Sequence, residues 1–236
     1  MEHTFFEAPE YPVLDRFKKC AVIFVKQALG LLAVLLLVRI AEIGFGSHML
    51  KPKESLIVLI IEGIIYTSIY FLKALPFLFL IALICFFSNF GETTLRICNY
   101  VVFSLFLSFE IVLAKYFYSA KILLGSDVLS SANALLPKLF SVDIYWLAAN
   151  VVALIILWFA VQFSKLIEFV DSVYALSIIA VGIVLLFFGI SAMPNDDGTE
   201  NFKIKVSKSA YVVDKVYSDL FDKEPVVDIY DQNYFD

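Results

Sequence analysis

The chain has 236 residues, of which 61% are hydrophobic and only 17% are charged, and its mean hydropathy is +0.87. This composition excludes an ordinary soluble globular domain and indicates an integral membrane protein. The net charge of −5 lies wholly in the C-terminal tail, because residues 194–236 carry 10 acidic and 5 basic side chains, whereas residues 1–193 carry 13 of each. This acidic tail excludes nucleic acid as a partner.

Five apolar segments are each long enough to cross a bilayer, whose hydrocarbon core of about 30 Å requires roughly 20 helical residues. Backbone groups in lipid must be paired within their own segment, so each segment is predicted to be a helix. The expected fold class is all-α, a polytopic membrane protein with a five-helix transmembrane bundle over residues 20–193. The predicted spans run from about Cys20 to Ile43, Ser55 to Phe87, Arg96 to Tyr118, Ile144 to Phe163 and Ser172 to Met193.

The second segment is longer than one bilayer crossing. Its first part, as far as Thr67, is predicted to be a helix at or above the outer surface, and the crossing itself follows with a kink at Pro76. Between the third and fourth spans, the polar residues from Gly125 to Pro137 predict an outer loop with a helical turn. Its polar side chains either contact a lipid headgroup or form the turn itself.

The orientation is predicted from basic and cysteine residues. Three basic residues stand directly before the first span, namely Arg16, Lys18 and Lys19. They favour a cytoplasmic N-terminal segment over residues 1–19. The three cysteines all lie near that same predicted face, as expected for the reducing side of the membrane: Cys20, Cys85 and Cys98. With five spans, residues 194–236 are then extracytoplasmic, and the predicted location is a bacterial inner membrane.

Several ionisable residues lie inside the predicted spans, where a charge is costly and faces a cavity or a partner. One interpretation is a polar pocket that opens to the outer leaflet and holds an anionic lipid headgroup between Arg39, Lys73 and Lys115. The alternative is pairing between helices and snorkelling towards the interface. Glu110 lies deepest in the third span. The candidate residues are Arg39, Glu42, Lys73, Glu110 and Lys115.

The sequence contains no complete catalytic motif. Its two histidines, His3 and His48, lie outside the apolar segments, and no cysteine pair has the spacing of zinc ligands. A phosphate-binding glycine loop and a G-x-S-x-G elbow are also missing. We therefore expect no catalytic residue, no metal site and no cofactor on this chain, and the sequence leaves open whether the protein is part of an enzyme.

The tail is predicted to contain one amphipathic helix. Residues 194–198 end the last span, and residues 201–206 alternate weakly, which favours an extended segment. In residues 207–221 the apolar side chains fall on one helical face, with Ser207 or Ser209 as the N-cap. The predicted apolar face consists of Val212, Val213, Val216, Leu220 and Phe221. The last residues, VVDIYDQNYFD, predict a linker into a part of the protein that this chain does not contain.

The whole chain resembles the N-terminal membrane portion of the lipoteichoic acid synthase family in its Bacteroidetes-type form. These are phosphoglycerol transferase and sulfatase-like enzymes of the alkaline phosphatase superfamily. The resemblance is carried by the five-span layout and by the segments IYFLKALPFLFLIAL, KYFYSAKILLGSD, SKSAYVVDKVYSDLF and VVDIYDQNYFD. It implies a helix along the membrane surface that leads into an extracellular catalytic domain with a nucleophilic threonine or serine and metal ligands. None of those catalytic motifs occurs here, so no catalytic residue carries over.

Two functions from different classes follow. The first is a membrane anchor that presents a lipid substrate to a phosphoglycerol or phosphoethanolamine transferase-like, or sulfatase-like, catalytic domain. Its partners would be membrane lipids and an extracytoplasmic catalytic domain or protein. The alternative is a stand-alone membrane scaffold whose acidic tail recruits an extracytoplasmic partner. A small transporter is less favoured, because five spans give no inverted repeat and no broken helix pair.

Overall fold

The protein is all-helical wherever the computed structural model describes it, which is residues 13–88, 91–125, 143–188, 191–196 and 198–221, and no strand occurs in these ranges. The all-α fold class is therefore confirmed. The helices are α1 (Val13–Leu50), α2 (Leu56–Phe87), α3 (Glu92–Ala120), α4 (Ile144–Phe163), α5 (Ser172–Phe187), α6 (Glu200–Lys205) and α7 (Lys208–Phe221), and a one-turn 3₁₀ helix, Ser164–Leu166, follows α4. The predicted loop turn between residues 125 and 137 lies almost wholly outside the described ranges, as does the VVDIYDQNYFD segment.

Four helices are long and apolar enough to cross a membrane, namely α1, α2, α3 and α4 with its following turn. Helix α5 is equally apolar but has only 16 residues. At 1.5 Å per residue it is about 24 Å long, which is less than the bilayer core of about 30 Å. The structure thus supports four or more membrane-spanning helices, whereas the count of five stays a prediction.

Helices α1 and α3 continue beyond their predicted spans, whereas α2 and α4 match theirs within one residue. Helix α1 extends past both ends of the segment from Cys20 to Ile43, because helical hydrogen bonding does not stop where the lipid ends. Helix α2 is one continuous helix of 32 residues that passes through Pro76. Its length is about 48 Å, so it exceeds the bilayer core, as the sequence indicated. The fourth span was predicted with the same bounds that α4 has.

Helix α1 is the centre of the bundle and contacts α2, α3, α4 and α5. Phe24 packs against Phe79 of α2 and Phe103 of α3, with ring centroids 5.1 and 5.7 Å apart. Gly30 lets the α4 backbone approach closely, because a Cβ at this position would lie 3.2 Å from the carbonyl of Ala160. Small residues of this kind allow close helix contacts in membranes.

The two tail helices lie at the end of the bundle opposite to the start of α1. Phe17, near that start, packs against Phe86 at the end of α2. At the other end, the hydroxyl of Tyr118 donates to the carbonyl of Glu42 at 3.0 Å, and α6 and α7 pack against α2 and α3 there. The structure thus separates the N-terminal basic residues from the tail, and the direction of the bundle in the membrane stays a prediction.

The helix predicted over residues 207–221 is observed as α7, whereas the extended segment predicted before it is wrong. Residues 201–206 are not extended, since Glu200–Lys205 is helix α6, with Thr199 as its N-cap. The weak alternation arose because Phe202, Ile204 and Val206 are all buried, although only the first two are in the helix. In α7, Val212 is buried, but Val213 is 54% exposed. Val213 therefore lies outside the contact surface that Val212 belongs to, because neighbouring residues point about 100° apart on a helix of 3.6 residues per turn.

Candidate functional site: the charged junction between tail and bundle

The start of α7 inserts three polar residues into the end of the bundle. Ser207, directly before α7, and Lys208 and Ser209, its first two residues, are each at most 2% exposed. They meet side chains from α1 and α3 at the end of the membrane-spanning region. We call this cluster the charged junction, and it consists of Arg39, Glu42, Glu110, Ser207, Lys208 and Ser209.

The carboxylate of Glu42 lies between two cations. The ammonium of Lys208 is 3.0 Å from one of its oxygens, and the guanidinium of Arg39 donates to the other. Arg39 and Glu42 are three residues apart on α1 and therefore share a helical face. A second nitrogen of Arg39 donates to the carbonyl of Ile204 in α6 at 2.7 Å. The Arg39–Glu42 pair within α1 thus binds both tail helices, because Arg39 contacts the backbone of α6 and Glu42 contacts Lys208, the first residue of α7.

Lys208 has further partners around its ammonium. It donates to the carbonyls of Lys203 at 2.8 Å and Val206 at 3.0 Å, and it lies 4.6 Å from the centroid of the Phe117 ring. A cation over an aromatic face is attracted by the ring quadrupole. Burial lowers the pKa of Lys208 to about 8, even though the carboxylate of Glu42 acts in the opposite direction. The charge of this lysine is therefore sensitive to moderate changes in pH.

Glu110 caps the N-terminus of α7. Its carboxylate accepts from the hydroxyl of Ser207 at 2.8 Å and from the backbone N–H of Ser209 at 3.1 Å. The Ser207 oxygen in turn accepts from the N–H of Ala210 at 3.3 Å, so it is the N-cap that the sequence predicted. A negative charge at a helix N-terminus is stabilising, and hydrogen bonds to an ionised acceptor are stronger than neutral ones. These contacts explain why an acidic residue is present so far inside α3.

A second set of contacts holds α6 near the start of α2. The ammonium of Lys205 is 2.8 Å from the carboxylate of Glu62 and 3.5 Å from that of Glu54. Partial burial acts to lower the pKa of Lys205, but the two carboxylates outweigh it, so the pKa is raised. The side chain of Asn201 also accepts from the N–H of Lys53 at 3.0 Å. These pairs are more exposed than the charged junction and surround it on the α2 side.

Three of the five predicted candidate residues lie in the charged junction: Arg39, Glu42 and Glu110. Lys115 is also buried, on α3. Lys73 is half-buried and, among the residues that the structure describes, takes no part in the junction contacts. A headgroup pocket between Arg39, Lys73 and Lys115 therefore stays a prediction, while pairing of Arg39 with Glu42 is observed.

The sequence reasoning missed Lys208 as the main partner of the buried carboxylates. Ser207 and Ser209 were expected only as alternative N-caps, and Lys208 was not among the candidate residues. The signal that could have found it is the buried Glu110, which needs donors that α3 itself does not supply. Buried amides were missed as well, since Asn99 of α3 donates to Gln27 of α1 at 2.7 Å. Such pairs join helices inside lipid, where an unpaired amide would be costly.

No group of three side chains that could hold a metal ion occurs in the described ranges. In comparisons with known proteins, no family model matches the chain, and neither a curated protein nor a solved structure does. The functional argument therefore depends on the junction and on the faces around it.

Proposed function

We propose that this chain is a membrane module that anchors an extracytoplasmic enzyme part and holds it at a fixed position on the bilayer. The observation that carries the proposal is the burial of Lys208 between the bundle helices, with its ammonium 3.0 Å from Glu42. A segment that served only as a flexible tether would remain hydrated and would need no buried ion pair.

The junction fixes both the position and the direction of the tail. Glu42 on α1 binds Lys208, whereas Glu110 on α3 binds the N-terminus of α7. Because these carboxylates come from different helices, α7 is attached at two points and cannot rotate about either one alone. Val212 and Val216 then pack against the end of α3 through Leu113. A domain that followed α7 would be held in a defined orientation relative to the membrane.

The enzyme class in this proposal comes from the sequence resemblance. In the resembled family, a helix at this place leads into a catalytic domain that transfers phosphoglycerol or phosphoethanolamine groups, or that is sulfatase-like. Membrane lipids would then be the substrates, the module would present them, and the location would be a bacterial inner membrane with the tail outside. A membrane location itself agrees with the long apolar helices of the bundle.

The exposed side of α7 favours a second candidate function, a scaffold that recruits an extracytoplasmic protein. Val213 and Tyr217 are 54% and 60% exposed, with the acidic Asp214 beside them. Aromatic and apolar residues on an exposed helix face are suited to protein contact. This face would serve either a domain of the same enzyme or a separate partner.

The fixed tail can be tested by distance measurements between spin labels. The labels would be attached at Ile57→Cys on α2 and Asp214→Cys on α7, in a cysteine-free background and in lipid nanodiscs. We expect one narrow distribution of the distance between them. Lys208→Met should broaden it, whereas the control Lys215→Met, on the same helix but outside the junction, should not. A broad distance distribution in the parent chain would contradict the proposal that α7 is held at a fixed position on the bundle.

The enzyme part of the proposal requires its own test. The chain would be purified gently from its host, and co-purifying proteins would be identified by mass spectrometry. Recovery of an alkaline phosphatase-like transferase domain, reduced by Lys208→Met but not by Lys215→Met, is the expected result. Recovery of an unrelated extracytoplasmic protein under the same conditions would favour the scaffold instead.

A further inference from the structure

An apolar groove of about 430 Å³ lies between α1, α3 and α4, directly beside the charged junction. Its walls reach from Val34 to Phe45 on α1 and from Trp146 to Ile156 on α4. Among the residues that the structure describes, Glu42 is the charged one in this lining. A groove with almost no polar groups is unsuited to a peptide backbone, a sugar or a free phosphate, all of which need hydrogen-bond partners.

The length of the groove corresponds to one leaflet. From Trp146 to Ile156, α4 rises roughly 15 Å at 1.5 Å per residue. This rise is half of a hydrocarbon core of about 30 Å. The wall on α1 covers a similar length. A single extended hydrocarbon chain of the leaflet at the tail end would therefore fill the groove from the interface to the bilayer midplane.

The mouth of the groove is built from aromatic residues that are held in place. Trp146 stacks on Tyr118 with ring centroids 6.0 Å apart, and Phe45 meets the Tyr118 ring edge-on at 5.1 Å. The Tyr118 hydroxyl is fixed by the carbonyl of Glu42. Tryptophan and tyrosine occupy the headgroup level of membrane proteins. The aromatic mouth therefore places this end of the groove at the interface, where a lipid headgroup would lie.

Small residues create the depth of the groove. Ala149 and Ala153 on α4 and Ala41 and Ala114 on α1 and α3 contribute methyl groups where larger side chains would fill the space. We propose that this groove binds one acyl chain of a phospholipid from the leaflet at the tail end. The inference rests on the proposed function for its purpose, since the bound lipid would lie beside the junction that holds the tail. The wall residue Glu42 is also the partner of Lys208, so the lipid site and the tail share a carboxylate.

The test fills the groove without changing its surroundings. Ala149 lines the groove and is exposed, whereas its neighbour Ala148 is exposed but is not part of the lining. The full chain would be incubated with dioleoylphosphatidylglycerol or dioleoylphosphatidylcholine and studied by native mass spectrometry. We expect one retained lipid of either kind on the parent chain and on Ala148→Phe, and at least a tenfold lower occupancy on Ala149→Phe. Equal retention by both variants would overturn the proposal, and retention of phosphatidylglycerol alone would show that a headgroup, and not the chain, is recognised.

A second measurement tests the lipid site without Ala149→Phe, so that a folding defect of that variant cannot decide the result. In a Trp158→Phe background Trp146 is the remaining tryptophan, and its fluorescence should be quenched by phospholipids brominated on the acyl chain. Addition of non-brominated dioleoylphosphatidylcholine in excess should restore the signal slowly if the chain is bound in the groove. Instant exchange, or a cross-link between two copies through Ala149→Cys, would contradict a lipid site. The spin-label distances separate failure of the lipid-site proposal from failure of the proposed function, because they report the position of α7 and not the occupancy of the groove.

Discussion

Gly182 of α5 lies directly against the carbonyl oxygen of Leu72 in α2, so that a Cβ at this glycine would overlap that oxygen. Leu72 is the residue whose carbonyl would normally accept the helical hydrogen bond of residue 76, and Pro76 has no N–H to donate. Because Gly182 has no side chain, the α5 backbone can approach the Leu72 carbonyl, which is the acceptor that Pro76 leaves free. Contacts of the Cα–H···O type recur where helices approach this closely.

We predict that Gly182→Ala destabilises the protein, although alanine is the better helix former. The added methyl must displace the Leu72 carbonyl or the Pro76 ring, and overpacking of this kind typically costs about 1–3 kcal/mol. Thermal unfolding in detergent would show a lowered midpoint. Gly44→Ala is the matched control, because a Cβ there meets nothing within 4 Å and should leave the midpoint unchanged or slightly raised.

Removal of the Glu110 charge should loosen α7. Glu110→Gln keeps an acceptor for one of its two donors but loses the favourable charge at the helix N-terminus, which is worth about 0.3–1 kcal/mol. Glu110→Ala leaves the hydroxyl of Ser207 and the N–H of Ser209 without this partner, at a cost of about 1–3 kcal/mol. Hydrogen exchange at the first amides of α7 should therefore be faster in Glu110→Gln and fastest in Glu110→Ala. An order in which glutamine is the worse substitution would argue against the capping role.

The docking of the tail should depend on pH through Lys208. Its pKa is about 8 in the docked state, below the ordinary lysine value of 10.5 because of burial, and release into water would restore the ordinary value. Between these two values the released state binds more protons than the docked state. The free energy of release attributable to Lys208 therefore increases as the pH rises from about 8 towards 10.5, and docking becomes stronger.

This pH dependence can be measured as protease cleavage of the tail or as hydrogen exchange in α7 at pH 7.5 and pH 9.5, corrected for the intrinsic exchange rate. The groups that face Lys208 are Arg39 and Glu42 from α1 and Glu110 from α3. Lys208→Met removes the titrating group and should abolish the difference between the two pH values. A difference that persists in this variant would assign the effect to another group.

Two lysines of the tail, Lys205 and Lys208, should differ strongly in their contribution to stability. Lys208→Met leaves Glu42 with Arg39 alone and removes the donor to the carbonyls of Lys203 and Val206, and a buried acceptor without its partner costs about 1–3 kcal/mol. Lys205 pairs with more exposed carboxylates, and such pairs contribute roughly 0–1 kcal/mol, so Lys205→Met should have little effect. Unfolding midpoints of both variants, measured in the same detergent, decide the comparison.

The orientation can be tested with an impermeant maleimide in intact cells. In a cysteine-free background, Asp214→Cys in α7 should be labelled, because the tail is predicted to lie outside. Leu14→Cys, exposed at the opposite end of α1, should be labelled only after lysis. Labelling of the second position alone in intact cells would reverse the predicted topology while leaving the fold unchanged.

Much of the helical layout could be predicted because apolar length alone decides it. The fourth span was predicted with its observed bounds, and Arg39, Glu42 and Glu110 were recognised as candidate residues because a charge inside an apolar span requires a partner. The extended prediction for residues 201–206 failed because a six-residue helix is too short to show a period of 3.6, and the burial of Phe202, Ile204 and Val206 imitated a strand. The position of Lys208 could not be predicted, since Glu42 and Phe117, which bind its ammonium inside the bundle, are more than 90 residues away in the chain.

The sequence by itself determined that the chain is helical, with segments long and apolar enough to cross a membrane, because lipid leaves the backbone of such a segment no partner except itself. It also limited the N-cap of α7 to two serines, since a serine N-cap acts within a few residues. Only the tertiary structure decided which charges meet. Glu110 and Lys208 acquire partners from helices distant in sequence, and a buried charge is stabilised by the geometry of those partners. For the same reason the groove beside Glu42 exists only once three helices have packed together.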